Sequence, residues 1–111
     1  MIQPKFEIIF LDEAMRFLEG LNEQTRDKIL YNIDKARHKN DPKLFKKLRD
    51  GIWEFRTFYF GNQYRLLAFW SKTNNSESLV FATHGIIKKA DKMPDKDINK
   101  AIEIRRKFLL Q

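Results

Sequence analysis

The stretch from Gly51 to Lys92 constrains the fold most strongly, because it holds three runs of aromatic and aliphatic residues separated by turn-forming residues. Runs of this kind predict the three strands of an antiparallel meander, at residues 51–56, 64–70 and 79–85. Gly61 and Asn62 both tolerate positive φ and predict a two-residue hairpin turn between the first two strands. The polar residues 71–77 predict a longer loop before the third strand.

The register of the predicted hairpin brings two arginines onto one face of the sheet. With the turn at residues 61–62, Arg56 opposes Leu67 and lies diagonally from Arg65. Glu54 shares this face because side chains alternate along a strand. Two interpretations stay open: Glu54 forms a surface ion pair with one arginine, or a bound phosphate bridges both guanidinium groups. The residues between them point to the other face, which we expect to belong to the core: Trp53, Phe55, Leu66, Ala68 and Trp70.

Capping and periodicity predict the remaining elements. Residues 6–10 predict a short strand paired to the meander edge, and Asp12 is expected to cap a short helix that stops at Gly20. Asn22 is expected to cap a second helix with an apolar stripe at Ile29, Leu30, Ile33 and Ala36. Pro94 suits the first turn of a final helix. The order β-α-α-β-β-β-α predicts a single α+β domain over residues 1–111, with helices packed against an antiparallel sheet.

The charge of the chain is large and unevenly distributed. It carries 22 Lys and Arg against 15 Asp and Glu, a formal net charge of +7. Acidic residues outnumber basic ones from Met1 to Asp34, so the excess positive charge lies mainly in residues 35–56 and 88–107. A basic half beside a near-neutral half favours one face that binds nucleic acid, the ribosome or an acidic protein. The candidate RNA-binding residues are Lys46, Lys47, Arg49 and Lys92.

Composition also limits the compartment and the cofactors. The chain contains no cysteine, which excludes disulfides and thiolate metal ligands and fits a reducing compartment. Residues 1–5 lack signal-peptide architecture, and no apolar run approaches the ~20 residues that cross a bilayer. We therefore expect a cytoplasmic protein without membrane contact. Because histidine occurs only at His38 and His84, ligand clusters at useful spacing are absent, and no metal or other cofactor is expected.

The chemistry that remains uses Arg, Lys and His without a metal. Such a set suits cleavage of RNA by its own 2′-hydroxyl, in which a base removes the 2′-OH proton and an acid protonates the leaving 5′ oxygen. His84 ends the third predicted strand and titrates near neutrality, with a structural hydrogen-bonding role as the alternative. Lys88 and Lys89 suit a phosphate contact, with a solvated loop as the alternative. Together with Arg56 and Arg65, they complete the candidate catalytic set.

Three segments of the chain, taken in order, resemble one known family. They are LRDGIWEFR at residues 48–56, YRLLAF at residues 64–69, and HGIIKK at residues 84–89, followed by Lys92-Met93-Pro94. From Phe6 to Leu109 the chain is similar to the HigB-like, phage-derived branch of the RelE/ParE toxin superfamily. The resemblance implies a type II toxin that acts as a ribosome-dependent mRNA endonuclease.

The resemblance also implies residue roles and partners. By position, Arg65 is similar to the strand arginine that contacts the scissile phosphate in this family, and Arg56 to a basic group on the preceding strand. Lys88 or Lys89 falls near a second functional arginine, and His84 is similar to a histidine of some HigB toxins. The implied partners are mRNA on the ribosome and a helix-turn-helix, HigA-like antitoxin, in a toxin–antitoxin hetero-oligomer. Two alternatives stay open: a ParE-like inhibitor of gyrase, and a non-catalytic domain that binds nucleic acid or the ribosome.

Overall fold

Five strands and three helices follow one another in the computed structural model, which describes residues 3–72, 78–89 and 92–111. The strands are β1 (Glu7–Phe10), β2 (Phe45–Lys47), β3 (Ile52–Tyr59), β4 (Asn62–Lys72) and β5 (Ser78–Lys88). The helices are α1 (Asp12–Glu19), α2 (Glu23–His38) and α3 (Asp95–Leu109). The predicted α+β class is therefore confirmed.

The strands form one sheet in the order β1-β5-β4-β3-β2. The predicted antiparallel meander is confirmed as β3, β4 and β5, and the first strand pairs with the meander edge as expected. Two details of the prediction were wrong. β1 runs parallel to β5, so the sheet is mixed. The sequence analysis also missed β2, because its three residues are too few to display the alternation that marks a strand.

The hairpin between β3 and β4 turns one residue earlier than predicted. Tyr59 pairs with Asn62, so the turn residues are Phe60 and Gly61, with φ of 48° and 77°. Two positive φ values are typical of the type I′ turn that matches the twist of paired strands. Both registers leave the same side chains on the same faces, so hydrophobic alternation could not distinguish them. The predicted loop at residues 71–77 begins inside β4, which extends to Lys72, and its remainder lies outside the described residues.

The two faces of the sheet carry separate hydrophobic cores. Helices α1 and α2 cover one face, with a core that includes Ala14, Leu18, Ile29, Ile33, Phe55, Leu66, Ala68 and Val80. Helix α3 covers the other, with a core of Ile52, Leu67, Phe69, Phe81, Met93, Ile98 and Ala101. Neighbouring residues of β4 enter opposite cores because side chains alternate along a strand. The sheet is therefore packed on both faces where the helices cover it.

The helix ends agree with the predictions in part. The Asn22 side chain accepts a hydrogen bond from the Thr25 backbone N–H at 2.8 Å, as its predicted capping role requires. Asp12, the other predicted cap, instead lies in the first turn of α1, with Leu11 at the cap position. Leu30 was expected on the buried stripe of α2 but is exposed. No helix in the described part of the chain is long and apolar enough to span a membrane.

A β-bulge in the sheet decides which side chains of β5 face α3. The pairing shifts between Leu67 and Ala68, so that Ala82 opposes Ala68 while His84 opposes Leu67. Thr83 is the extra residue, and it reverses the alternation of everything after it. His84 and Lys88 therefore lie on the α3 face, the face of Arg56 and Arg65.

The reversal also turns Gly85 toward helix α1, and this packing predicts a stability effect. A Cβ atom added at Gly85 would overlap the Phe17 ring. We expect Gly85→Ala to lower the free energy of unfolding by about 1–3 kcal/mol, because the ring must move within a packed layer. Gly20→Ala is the matched control, since the nearest atoms lie 3.5 Å from its added Cβ. Urea unfolding of both variants tests this, and equal stability of Gly85→Ala and the wild type would contradict it.

Candidate functional site

Arg56 and Arg65 lie directly opposite each other on β3 and β4. The predicted register had placed them diagonally; the turn at residues 60–61 brings them into direct register instead. Their shared face, with Glu54 beside them, is as predicted. Cross-strand partners have Cβ atoms about 4.5–5.5 Å apart, so like charges at this position repel unless an anion separates them.

The Glu54 carboxylate is that anion. Its Oε1 lies 3.4 Å from the Nε of Arg65, and its Oε2 lies 3.6 Å from the Nε of Arg56. The carboxylate and the Arg65 side chain are each 4% exposed, against 29% for Arg56. One of the two open interpretations placed Glu54 in a surface ion pair with a single arginine, whereas the structure buries it between two. One negative charge shared by two positive charges leaves the group with a surplus of +1.

Further contacts fix the Arg65 guanidinium in place. Nη1 donates to the Tyr64 carbonyl at 3.0 Å, and Nη2 donates to Oε1 of Gln63 at 2.7 Å. Arg56 is held less tightly, with Nη1 donating to the Pro42 carbonyl at 3.4 Å. A positive group that is oriented before a ligand arrives needs no reorganisation to stabilise an anion. The pair therefore combines a fixed inner cation with a more exposed outer one.

Two adjoining openings meet at Arg56, and together we call them the basic cleft. The smaller has a volume of about 170 Å³ and is lined by Lys43, Arg56, Thr57, Phe58 and Arg65. The larger has a volume of about 340 Å³ and is lined by Leu48, Glu54, Met93, Asp95 and Ile98, together with Lys46, Arg49, Arg56 and Lys92. The two basic segments of the sequence, which lie on either side of the meander, therefore meet at one concave surface.

The structure separates the predicted RNA-binding residues. Lys46 lies opposite Glu54 in the pairing of β2 with β3. Lys46, Arg49 and Lys92 all line the larger opening of the cleft. Lys47 pairs with Trp53 and therefore lies on the opposite face. Lys46 and Lys47 are adjacent in the sequence, so a charge cluster alone could not reveal which of them faces the site.

Arg49 is already engaged with acidic groups around the cleft. Its guanidinium donates to Asp50 at 2.6 Å and to Asn99 at 3.1 Å, and it lies 3.4 Å from Asp95. The hydrogen bond to Asp50, with smaller contributions from Asp95, raises the pKa of Arg49 above its usual value. Arg49 therefore joins the loop before β3 to the first turns of α3.

His84 is buried, with a relative exposure of 3%. Its Nδ1 lies 3.0 Å from Oγ1 of Thr83, and its Nε2 lies 3.4 Å from Oδ1 of Asp97 in α3. Burial, with a smaller effect from Lys100, lowers the pKa of His84 below 6.5, although Asp97 opposes the shift. Both ring nitrogens therefore face protein groups, and the contact with Asp97 joins β5 to α3.

The two lysines at the end of β5 differ in their surroundings. Lys88 lies on the cleft face, opposite Gln63, and is 6% exposed. Lys89 follows the strand and is exposed. Of the predicted basic loop from Lys88 to Lys92, residues 90–91 lie outside the described residues. Within the described part of the chain, no group of three or more His, Asp or Glu side chains is arranged to hold a metal ion.

The sequence analysis missed two residues that line the cleft and one that holds Arg65 in place. Lys43 and Phe58 line its smaller opening, and Gln63 holds Arg65. Phe58 belongs to an apolar run, which favours a core assignment. Alternation from Arg56 nevertheless places it on the arginine face, and that signal was available in the sequence.

Comparison with known proteins supports the description of the fold. The family model described as "Phage derived protein Gp49-like" matches residues 16–106. Among solved structures, a chain of the toxin–antitoxin complex RelBE2 from Mycobacterium tuberculosis is similar, with a TM-score of 0.56 and 18% sequence identity. The match covers 78% of this chain and 100% of that chain, and at this identity it concerns the fold alone. No sequence among curated proteins matches the chain.

The lowered pKa of His84 predicts a pH dependence of stability. As the pH falls below 6.5, the unfolded chain binds a proton that folded His84 resists, so the free energy of unfolding decreases. We expect His84→Asn to remove this part of the slope. His38→Asn is the comparison variant, because His38 is the other histidine of the chain and is exposed. Urea unfolding at about pH 7.5 and about pH 5.5 measures the effect; a wild-type slope in His84→Asn would contradict the assignment.

Proposed function

The chain belongs to the family of phage-derived Gp49-like proteins, and we propose that it is the toxin of a type II toxin–antitoxin system that cleaves mRNA on the ribosome. The observation that carries the proposal is the pair of opposed arginines sharing one buried carboxylate inside the basic cleft. The likeness of the fold to a chain of a toxin–antitoxin complex supports the same conclusion.

A phosphodiester fits the charge of the cleft. The surplus positive charge of the Arg56–Glu54–Arg65 group matches the single negative charge of one phosphodiester. Guanidinium groups also match phosphate oxygens in bidentate geometry, which a lysine ammonium does not. Lys43, Lys46 and Lys92 line the same cleft, where they suit the phosphates on either side of the reacting one.

The proposed reaction transfers the phosphorus from the 5′ oxygen to the neighbouring 2′ oxygen. The 2′-hydroxyl loses its proton to a base as the O2′–P bond forms, and the P–O5′ bond breaks as an acid protonates the 5′ oxygen. The products are a 2′,3′-cyclic phosphate and a 5′-hydroxyl. Arg56 and Arg65 stabilise the negative charge that develops on the phosphorus centre.

The proton-transfer groups remain candidates within this proposal. Lys88 lies on the cleft face and Lys89 is exposed just after it, so both are kept in the catalytic set. For His84 we propose a positioning role, because its two nitrogens face Thr83 and Asp97. In that role it fixes the start of α3 against the sheet and thereby shapes the larger opening of the cleft.

The proposed partner is a helix-turn-helix, HigA-like antitoxin, which would form a hetero-oligomer with this chain and neutralise it. The similar solved chain comes from a complex of toxin with antitoxin, which supports a partner of that class. Assignment to the HigB-like branch of the superfamily rests on the three sequence segments described above and belongs to this proposal.

Lysine substitutions test the proposed reaction while preserving charge. Alanine at Arg65 would leave the buried Glu54 carboxylate short of a partner, so Arg65→Lys and Arg56→Lys are the better variants. We expect each to retain its fold and to cleave mRNA in a translating extract about 100-fold or more slowly, because the guanidinium fork is lost. Cleavage at the wild-type rate by both variants would contradict the proposal. So would growth arrest by the wild type with DNA breaks and intact mRNA, which is the outcome that a gyrase inhibitor predicts.

The adjacent pair Lys46 and Lys47 tests which face binds RNA. We expect Lys46→Ala to weaken binding of single-stranded RNA and to reduce the dependence of log affinity on log salt by about 0.7, the effect of one phosphate contact. Lys47→Ala, on the opposite face, is expected to change neither quantity. Fluorescence anisotropy over a salt series measures both variants, and equal effects of the two substitutions would rule out the cleft as the binding face.

A further inference from the structure

Phe58 is an aromatic side chain that the packing of the protein does not explain. It is 67% exposed and belongs to neither hydrophobic core. It lies two residues after Arg56 on β3, and therefore on the same face, opposite Gln63. An exposed aromatic side chain contributes little burial energy to the fold, so its position indicates a role in binding a ligand.

Phe58 borders the space in front of both arginines. It lines the smaller opening of the cleft together with Lys43, Arg56 and Arg65. Residues two apart on a strand have Cα atoms about 7 Å apart, so Phe58 is the next residue after Arg56 on the same face. A phosphate bound at the arginines would thus hold an adjacent base over or beside the ring.

We propose that Phe58 is the platform of a nucleobase subsite, on which a base of single-stranded RNA stacks beside the phosphate held by Arg56 and Arg65. The inference rests on the proposed function and extends it by naming the site that positions the nucleotide. Stacking on an aromatic ring accepts every base, so the subsite orients the strand more than it selects a sequence.

The neighbours of the ring favour RNA over a protein partner. Lys43, Arg56 and Arg65 surround the same opening, and this concentration of positive charge suits the phosphates of a nucleic acid. Single-stranded nucleic acid sites combine a basic groove with aromatic side chains, which is the arrangement found here.

Phe60 provides a matched control on the same hairpin. It is 80% exposed, more than Phe58, but it is a turn residue with a φ of 48° and lines neither opening of the cleft. Its ring packs edge-on against Tyr59 with centroids 4.6 Å apart. A general effect of removing an exposed ring would therefore appear equally in Phe58→Ala and Phe60→Ala.

The test measures binding of single-stranded hexanucleotides whose 2′-hydroxyls are methylated, so that the strand cannot be cleaved. A parallel set lacks one base at a time. We expect Phe58→Ala to weaken binding of the intact strand by about fivefold to a hundredfold and Phe60→Ala by less than about twofold. Removal of one particular base should weaken the wild type similarly and leave Phe58→Ala unaffected.

A second variant separates stacking from loss of structure. Phe58→Trp should bind as tightly as the wild type, and its fluorescence should be quenched by the intact strand but not by the strand without the stacked base. The two native tryptophans, Trp53 and Trp70, pack against each other on the opposite face and provide a constant background.

Two results would overturn the subsite. One is equal binding of the intact strand by Phe58→Ala and Phe60→Ala. The other is a wild-type protein that shows no measurable binding, or whose affinity does not change when any base is removed. If Arg56→Gln loses the strand while Phe58→Ala keeps it, the subsite fails, the proposed function stands, and Phe58 is left as a contact for a protein. If neither substitution affects binding, both proposals fail.

Discussion

A carboxylate buried between two guanidinium groups is the interaction on which the site depends. Burying Glu54 is unfavourable unless cations compensate it, and a single arginine would suffice for neutrality. The second arginine leaves the group with a net charge of +1. Arg65 is buried, and Arg56 is partly exposed to solvent. In the proposed function, affinity for an anion follows from how this pair of strands is stabilised, so the proposed phosphate site and the local fold share the same residues.

The architecture of the sheet leaves the outer arginine of this group within reach of a ligand. Helix α3 packs on Ile52, Leu67 and Phe69, while further along the same face the Arg56 side chain stays 29% exposed and lines both openings of the cleft. The short β2 ends its pairing with β3 at Phe55, so the strand beyond it forms the edge of the cleft. The bulge at Thr83 then brings the end of β5 onto the cleft face. The regular pairing of β3 and β4 thus aligns the two arginines, and irregular features elsewhere in the sheet bring further residues to the same face.

Much of the fold could be predicted from the sequence, because apolar alternation and turn residues act locally. The meander, the Asn22 cap and the shared face of the two arginines were predicted correctly for that reason. The bulge could not be predicted, because it depends on pairing between distant strands, and neither could the burial of His84 that follows from it. The hairpin turns one residue earlier than predicted. The sequence could not distinguish the two registers, because both leave the same side chains on the same faces. The opposite placement of Lys46 and Lys47 required the unpredicted β2.

The most direct measurement of the central claim is the stability of Glu54→Gln as a function of inorganic phosphate at constant ionic strength. Without the shared carboxylate the two arginines repel, so we expect the free energy of unfolding to fall by about 3 kcal/mol in chloride. Phosphate should bind between the guanidinium groups and restore more stability to Glu54→Gln than it adds to the wild type. If Glu54→Gln is as stable as the wild type, and phosphate stabilises both proteins equally, then the arginine pair is not an anion site.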